Sequence, residues 1–285
     1  MSSLLVSDII KMAEKQMTDA GIPSPKVDAE VLYCHLKKVD RARFFMEWSS
    51  PADDRTCDQF FELVARRCQR EPLQYITGTQ DFMGLTLKVA PKVLIPRLDT
   101  EVVALAAELK LKEMRGDTVL DLCCGSGAIG LSLAKRGGAK VTAVDISPEA
   151  VKLTEINAKN LGAKMTVLQG DLYGPVVKKK YHMIVSNPPY IKSEVMDTLM
   201  PEVRKYEPEE ALHGGTDGLD YYRLIVEGAH EHLKKNGILV LEIGADQAVD
   251  VAALIEETEA FTDIQILQDL DGKDRVVTAK WIKKK

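Results

Sequence analysis

The fold is decided by the stretch Asp117-Thr-Val-Leu-Asp-Leu-Cys-Cys-Gly-Ser-Gly-Ala-Ile-Gly-Leu131. Its first half is apolar and predicts a buried parallel strand, while its second half predicts a helix that follows a glycine-rich turn. Gly125 and Gly127 allow a tight turn and a close approach of the backbone to a ligand beside the helix N-terminus. The glycine spacing differs from the G-x-G-x-x-G fingerprint of dinucleotide sites, so the turn alone is a weak signal.

Acidic residues end the next two predicted strands. The strand Lys140-Val-Thr-Ala-Val-Asp145 ends in a carboxylate 18 residues after Gly127 (145 − 127), where it can accept hydrogen bonds from both hydroxyls of a ribose. The strand Met165–Gln169 is followed by Gly170, Asp171 and Leu172, where a carboxylate can meet an adenine edge. These two acids and the glycine turn are expected at the same edge of the sheet.

Asn187-Pro188-Pro189-Tyr190 follows a fourth apolar strand, Tyr181–Ser186. Two prolines cannot continue a strand, because they lack backbone donors and fix φ near −65°. The chain therefore leaves the sheet at its carboxyl edge, where open α/β sheets bind ligands. The Asn187 side-chain oxygen and the Pro188 carbonyl can hold both N–H bonds of a poorly nucleophilic NH2, and the Tyr190 face can stabilise positive charge on that nitrogen. A capped loop without a catalytic role would match the same four residues.

The order of these features is informative as a set. A glycine turn, an acid, a second acid and Asn-Pro-Pro-Tyr follow strands one to four in turn. Their shared position at the carboxyl edge is the layout of an S-adenosylmethionine pocket.

Along nearly its whole length the chain resembles the protein-(glutamine-N5) methyltransferases that act on peptide-chain release factors, the PrmC/HemK family. The segments that carry the resemblance are Gln74–Gly78, Leu94–Glu101, Asp121–Ile129, Ser186–Ile191, Glu207–Pro208, Asp217–Asp220, Leu241–Gly244 and Asp269–Val276. The resemblance implies an α/β fold of the class I S-adenosylmethionine-dependent methyltransferases, Rossmann-like, with a seven-stranded, mostly parallel sheet and a small N-terminal helical domain. The implied strand order is 3-2-1-4-5-7-6.

The resemblance also implies the reaction and its residues. A methyl group would pass from S-adenosylmethionine to the N5 amide nitrogen of the glutamine in the Gly-Gly-Gln loop of class 1 release factors, leaving S-adenosylhomocysteine. The catalytic residues would be Asn187, Pro188 and Tyr190, and the substrate clamp would consist of Asn187, Pro188, Pro189 and Tyr190. The cofactor-binding residues would be Asp121, Cys123, Cys124, Gly125, Ser126, Gly127, Asp145, Asp171, Leu172 and Asn187. Cys124 stands where the family usually has threonine, so a hydroxyl-mediated contact would be lost there.

Three parts of the chain are expected: a helical substrate-recognition domain (1–75), a linker hairpin (76–90) and a catalytic domain (91–285). Helices are predicted to begin near Ser7, at Pro25 and at Asp53, with Val27, Val31, Leu32 and Leu36 turned inward on the second. Alternation from Tyr75 to Val89 indicates the hairpin. The acidic segment Glu207–Tyr222 is expected to cover the substrate side as a flap.

Composition limits the class of protein. The 285 residues, 45% hydrophobic, can bury one sizeable core and a small second one. A net charge of −5 argues against a sequence-independent nucleic-acid binder, and no apolar stretch approaches 18 residues, so a cytoplasmic protein without membrane or direct nucleic-acid partners is expected. Five cysteines without a C-x2-C pair argue against disulfides and zinc, so no metal is expected. Cys123 and Cys124 are interpreted as small residues packed beneath a ligand loop.

Some assignments remain open. Arg97 and Glu101 fit either a pocket mouth or charges at a helix start. His213 is interpreted as a loop histidine rather than a general base. Glu242 either lines the pocket or satisfies a backbone donor, and the pocket is favoured. Alternative functions are glutamine methylation of a ribosomal protein, which Leu98–Glu101 disfavours, and adenine-N6 methylation of nucleic acid, for which the first domain shows no basic recognition region. An idle binding module is disfavoured by the intact acids and Asn187.

Overall fold

The computed structural model describes residues 4–114 and 116–282. The chain divides into two compact units. The helical unit comprises the chain up to Gly78 together with Met200–Tyr206, and the sheet unit comprises Thr79–Leu199 and the chain from Glu207 onward. The helices of the first unit are α1 (Val6–Asp19), α2 (Pro25–Lys37), α3 (Arg41–Glu47), α4 (Asp54–Cys68) and α5 (Leu73–Thr77).

The helical unit has its own apolar core, in which Ile9, Leu32, Phe44 and Phe60 are fully buried. Helix α1 begins at Val6, and Asp8 closes its first turn by accepting a hydrogen bond from the Leu5 backbone at 3.0 Å. The short helices α3 and α5 were not predicted, because each is too brief to show an apolar period.

The inward face of α2 agrees with the prediction at Leu32, which is fully buried, but differs from it at two valines. Val27 and Val31 are exposed, whereas Asp28 is buried. The cause is an ion pair: Arg67 Nε donates to Asp28 Oδ2 at 2.7 Å, and the same guanidinium donates to Glu202 Oε1 at 3.1 Å. A buried carboxylate is tolerated when it is paired in this way, so charge rather than hydrophobicity sets this face.

The sheet unit begins with an antiparallel hairpin, β1 (Thr79–Phe82) and β2 (Leu85–Lys88). The elements that follow in the chain are α6 (Thr100–Met114), β3 (Thr118–Leu122), α7 (Ala128–Gly137), β4 (Lys140–Asp145), α8 (Pro148–Leu161), β5 (Met165–Gln169), β6 (Tyr181–Ser186), α9 (Ser193–Met196), α10 (Pro201–Tyr206), α11 (Asp220–His232), β7 (Leu233–Glu242), α12 (Ala248–Glu257), β8 (Phe261–Gln268) and β9 (Asp274–Trp281). Helix α10 is the one that belongs to the helical unit.

The seven-stranded sheet has the order β5-β4-β3-β6-β7-β9-β8. Strands β3 to β7 are parallel, and β9 runs antiparallel to both β7 and β8. Counted from β3, this is the order 3-2-1-4-5-7-6, which confirms the predicted fold class. In the β3–β6 pairing Leu122 lies opposite Ser186, so the glycine turn and Asn187 leave the sheet side by side.

Both faces of the sheet are buried, as expected for parallel strands. Leu120, Ile184 and Leu239 pack on one face and Val119, Val185 and Val240 on the other. This packing leaves the polar residues at the strand ends. Among the helices within residues 4–114 and 116–282, none is both long and apolar enough to cross a membrane.

Candidate active site

A cavity lies at the carboxyl edge of the parallel strands, with about 990 Å³ of atom-free space, part of it open to solvent. Its walls come from the segment before α6, the turn after β3, the ends of β4 and β5, the elbow after β6 and the segment before α11. The predicted residues among its lining are Asp121, Cys123, Cys124, Gly125, Ser126, Asp145, Asp171, Leu172, Asn187 and Pro189. Gly127, Pro188 and Tyr190 do not line it.

The glycine turn has left-handed backbone at Cys123 (φ 56°), Gly125 (φ 55°) and Gly127 (φ 82°). Nothing lies within 4 Å of the position that a Cβ on Gly125 would take, so a ligand can reach this backbone. A Cβ on Gly127 would lie 2.8 Å from Thr154 Cγ2. Gly127 therefore serves the packing of α7 on α8, which explains why it is absent from the cavity wall.

Asp145 is held by two backbone donors. Gly125 N donates to Oδ2 at 2.8 Å, and Ser147 N donates to Oδ1 at 3.0 Å. Burial raises the pKa of this carboxyl, and the two backbone hydrogen bonds oppose that rise. Each oxygen keeps a further lone pair. Asp145 thus offers two fixed acceptors at the cavity, which suits the adjacent hydroxyls of a ribose.

Asp121 lines the same cavity and has one unpartnered, buried oxygen. Its side chain is 1% exposed, and Oδ2 accepts from Gly130 N at 2.9 Å, whereas Oδ1 has no hydrogen-bond partner among the described residues. Burial raises the pKa of Asp121 to about 7, the Gly130 hydrogen bond lowers it, and the charge of Asp145 raises it. A buried acceptor without a partner calls for a donor, preferably a cationic one. Together with Gly125 and Asp145, this fits the nucleoside and amino groups of S-adenosylmethionine.

The two neighbouring cysteines are packing groups. Cys124 Sγ lies 3.7 Å from Thr154 Oγ1, and that hydroxyl donates to the Gly125 carbonyl at 2.9 Å. Burial raises the pKa of both the Cys123 and Cys124 thiols, so they stay protonated at neutral pH. The family usually has a threonine hydroxyl at position 124; in this chain the hydroxyl of Thr154 lies beside the glycine turn instead.

The elbow after β6 is held by side chains from other elements. The Asn187 amide nitrogen donates to Thr100 Oγ1 at 3.4 Å, and the Tyr190 hydroxyl donates to Glu242 Oε1 at 3.4 Å. Gln247 Nε2 donates to the Tyr190 carbonyl at 3.0 Å. Burial raises the pKa of the Tyr190 hydroxyl, which therefore remains a donor. Thr100 and Gln247 were not predicted; Thr100 stands in the Leu94–Glu101 segment, but Gln247 lies in no motif.

The predicted flap, Glu207–Tyr222, forms hydrogen bonds with several neighbouring segments. The buried Glu207 carboxylate accepts hydrogen bonds from the Ile95 backbone and from Arg97, which lines the cavity. The Ile191 N–H donates to the Leu212 carbonyl at 2.8 Å. Pro208, Glu210, Ala211 and Tyr221 contribute to the cavity lining. The segment thus forms part of the cavity wall.

Three further assignments are settled by position. Glu101 accepts a hydrogen bond from the Met83 backbone and does not reach the cavity. His213 Nε2 lies 2.8 Å from Ser193 Oγ, which makes it a loop-fixing residue, as predicted. Glu242 is 1% exposed and is not among the residues that line the cavity. It lies behind the wall because it ends β7 within the sheet.

Comparison with known proteins gives the family. The model of the PrmC N-terminal domain matches residues 8–78, and that of the methyltransferase small domain matches residues 95–203. A release factor glutamine methyltransferase of Geobacter sulfurreducens is 40% identical over 273 residues, covering 95% of each chain. One from Moorella thermoacetica is 41% identical over 270 residues, covering 94% of this chain and 95% of the relative.

A solved structure supports the fold alone. The methyltransferase from Pyrococcus furiosus superposes with a TM-score of 0.51 at 19% identity, over 70% of this chain and 89% of that one. The sequence relatives carry the more specific conclusion, because they match both units over almost their full length. The chain belongs to the release factor glutamine methyltransferase family.

Proposed function

We propose that this protein transfers a methyl group from S-adenosylmethionine to the side-chain amide nitrogen of the glutamine in the Gly-Gly-Gln loop of class 1 peptide-chain release factors. The observation that carries the proposal is the Asn187 amide. Its nitrogen is engaged by Thr100 while the residue lines the cavity, so its oxygen is left to accept. An acceptor at this position suits an NH2 group as substrate.

The chain holds and polarises the acceptor nitrogen. The nitrogen lone pair of an amide is delocalised into its carbonyl, so the free amide is a poor nucleophile. We propose that the substrate amide enters at the elbow, where Pro188 and Tyr190 adjoin the cavity-lining Asn187 and Pro189 in the chain. When Asn187 Oδ1 and the Pro188 carbonyl each accept one N–H there, the nitrogen is favoured in a pyramidal form with its lone pair toward the methyl donor. The ring of Tyr190 then stabilises the positive charge that develops on that nitrogen.

Proton removal needs no dedicated base. The N-methylated amide cation is a very strong acid and gives its proton to water. The absence of a base from this scheme agrees with the position of His213, whose ring nitrogen is hydrogen-bonded to the Ser193 hydroxyl. S-adenosylmethionine supplies the methyl group from its sulfonium and becomes S-adenosylhomocysteine. In this proposal Asp145 accepts hydrogen bonds from the ribose hydroxyls, and Asp121 accepts from the amino group of S-adenosylmethionine. The exposed Asp171 contacts the adenine edge. The remainder of the cofactor lies against the backbone of the glycine turn.

The acids also select the substrate. Asp121, Asp145, Asp171 and Glu210 all line the cavity. A neutral amide enters this surrounding without electrostatic cost, whereas a carboxylate is repelled and offers no N–H to hold. The two glycines before the target residue suit a narrow cavity, because backbone without side chains lets the glutamine extend.

The helical unit is proposed to recognise the release factor outside its loop, which the match to the PrmC N-terminal domain supports. Because Met200–Tyr206 belongs to this unit, deleting residues 1–75 would leave Glu202 without Arg67 and Arg70. Kinetics of the intact enzyme are the better test. If recognition occurs there, kcat/KM for the whole release factor should exceed that for a short peptide carrying the loop by at least about 10²-fold. Equal values would remove this role.

The function itself is tested by methylation of purified release factor with labelled S-adenosylmethionine, followed by mass spectrometry of the loop peptide. One methyl group on the loop glutamine is expected. Loops with Gly-Gly-Glu should be inert, and loops with Gly-Gly-Asn should react roughly 10²-fold more slowly, because the nitrogen is withdrawn by about 1.5 Å. Equal incorporation into the Gln and Asn loops would contradict the proposal. So would comparable transfer to a ribosomal-protein glutamine or to an adenine-containing oligonucleotide.

A further inference from the structure

A buried polar group of side chains lies behind the cavity wall. We call Thr100, Tyr190, Glu242 and Arg275 the Glu242 cluster; they come from α6, the elbow after β6, the end of β7 and β9. Thr100 and Glu242 are 4% and 1% exposed. Thr100 lines the cavity and Glu242 does not, so Glu242 can influence a bound substrate only through its neighbours. The cluster thus joins four segments that are far apart in sequence.

One hydrogen bond reaches the Glu242 carboxyl directly, and a second holds Asn187 to Thr100. The Tyr190 hydroxyl donates to Oε1 at 3.4 Å. Thr100 Oγ1 accepts from the Asn187 amide, and its own hydrogen is left to donate. Burial raises the pKa of Glu242 to about 7, while the nearby Thr100 hydroxyl, the charge of Arg275 and the hydrogen bond from Tyr190 oppose the rise. Oε2 has no partner of full hydrogen-bond geometry within the part of the chain that the structure describes, so it can take the Thr100 hydrogen.

The direction of these bonds decides which end of the Asn187 amide faces the cavity. The oxygen and nitrogen of an amide are nearly equal in size, so packing does not distinguish them, whereas hydrogen bonding does. When the Thr100 hydrogen points to Glu242, the Thr100 oxygen can only accept, and it takes the Asn187 N–H. A reversed amide would present NH2 to the NH2 of the substrate, and the acceptor would be lost.

We propose that Glu242 is a positioning residue for methyl transfer, which fixes the Asn187 amide through Thr100 and the Tyr190 ring through the tyrosine hydroxyl. This inference rests on the proposed function. Arg275 supports the arrangement from β9: it forms an ion pair with Asp269 at 3.1 Å and lies 3.5 Å from Asp99, the residue before Thr100. The charge of Arg275 also favours the ionised form of the Glu242 carboxyl.

A purely structural role makes a different prediction. If Glu242 served only the stability of the sheet edge, its replacement would lower stability and cofactor affinity together with activity. Arg275 keeps Asp269 as its ion-pair partner when Glu242 is replaced, so the replacement does not leave that buried cation unpaired. Activity and stability should therefore separate in the right variants.

The experiment compares Glu242→Gln and Glu242→Met with the wild type, using Glu256→Gln on the exposed face of α12 as the matched control. Gln keeps the shape of the side chain but has only one acceptor oxygen. Its NH2 group therefore faces the hydroxyl of either Thr100 or Tyr190 and cannot accept a hydrogen bond from it. We expect kcat for the release factor to fall roughly 10-fold or more, with KM, the Kd of S-adenosylmethionine and the melting temperature unchanged. Met should lower kcat further while the melting temperature holds or rises. The control should match the wild type.

The route through Thr100 is tested by a double-mutant cycle. Thr100→Val removes the hydroxyl, so Thr100→Val with Glu242→Gln should be scarcely slower than the worse single variant. Fully additive losses would overturn this route. Wild-type kcat in Glu242→Gln, or a loss of kcat that parallels loss of cofactor affinity and stability, would overturn the positioning role. A wild type that methylates no release factor would instead refute the proposed function.

Discussion

The amide nitrogen of Asn187 donates a hydrogen bond to the hydroxyl of Thr100 across 3.4 Å. This contact joins the elbow after β6 to the first residue of α6. It engages one end of the amide and leaves the other for the cavity, which Asn187 also lines. The clamp predicted from four consecutive residues therefore depends on a residue 87 positions away in the chain.

Replacing Asn187 with Ala removes the amide oxygen that is proposed to hold the substrate. Turnover of the release factor should fall by roughly 10²-fold or more, by analogy with loss of one preorganised group from an oxyanion hole. The Kd of S-adenosylmethionine should change far less, and calorimetry measures it independently of turnover. If affinity and turnover fell by the same factor, Asn187 would be a binding residue only.

Replacing Arg67 with Ala should destabilise the helical unit. The Arg67 side chain is 7% exposed and pairs with Asp28 and Glu202, so its loss leaves Asp28 a buried carboxylate without its cation. Removing one partner of a buried pair costs about 3–5 kcal/mol. Arg66 is the matched control, because its side chain is 45% exposed in its ion pair with Glu71 and should cost less than about 1 kcal/mol on replacement by Ala.

Denaturant unfolding can follow the helical unit selectively. The chain has two tryptophans, and Trp48 belongs to the helical unit whereas Trp281 belongs to the sheet unit. A Trp281→Phe background therefore makes fluorescence report on the helical unit. Similar unfolding free energies for Arg67→Ala and Arg66→Ala would show that the buried network contributes little.

The sheet unit should lose stability as the pH rises toward neutrality. Burial raises the pKa of Asp121 and of Glu242 to about 7, above the ordinary values of 3.8 and 4.5. Between those values and pH 7 the folded state binds more protons than the unfolded state, so stability is greatest at the acid end of this window and falls as each carboxyl ionises. The loss for Asp121 is roughly 4 kcal/mol at 1.36 kcal/mol per unit of pKa.

The check is denaturant unfolding at pH 5.5 and pH 8, followed by Trp281 in a Trp48→Phe background. Asp121→Asn should reduce the fall in unfolding free energy between these two values, because Asn does not titrate. The exposed Asp271→Asn should leave the fall as in the wild type. Identical pH dependence in Asp121→Asn and the wild type would mean that Asp121 does not titrate across this range.

The sequence predicted the strands of the parallel sheet well. The bounds of β4, β5 and β6 match the predicted ones, because buried parallel strands are continuous apolar runs with sharp ends. The pocket acids Asp145 and Asp171 could be predicted for the same reason, since Asp145 ends one such run and Asp171 lies two residues after another. Local patterns of this kind need no knowledge of distant contacts.

Contacts between residues that are distant in the chain could not be predicted from local sequence patterns. The burial of Asp28 depends on Arg67, and the inward face predicted with Val27 and Val31 ignored that charge. Gln247 holds the Tyr190 carbonyl from a helix start with no motif of its own. Partners in an ion pair or a hydrogen bond are chosen by the fold, so only the structure could identify them.

The last prediction concerns Gly214, where the chain passes close to the elbow. A Cβ at this position would lie 2.7 Å from the Tyr190 Cα and 2.8 Å from the Pro189 carbonyl oxygen, distances that force the backbone to shift. The Gly214 N–H also donates to the Ile191 carbonyl at 2.9 Å, so the two segments cannot simply separate. Gly214→Ala should therefore displace the clamp and lower kcat by roughly 10-fold or more. Gly174→Ala is the control, because open space surrounds that position. Equal kcat in the two variants would show that the clamp tolerates a shift at Pro189 and Tyr190.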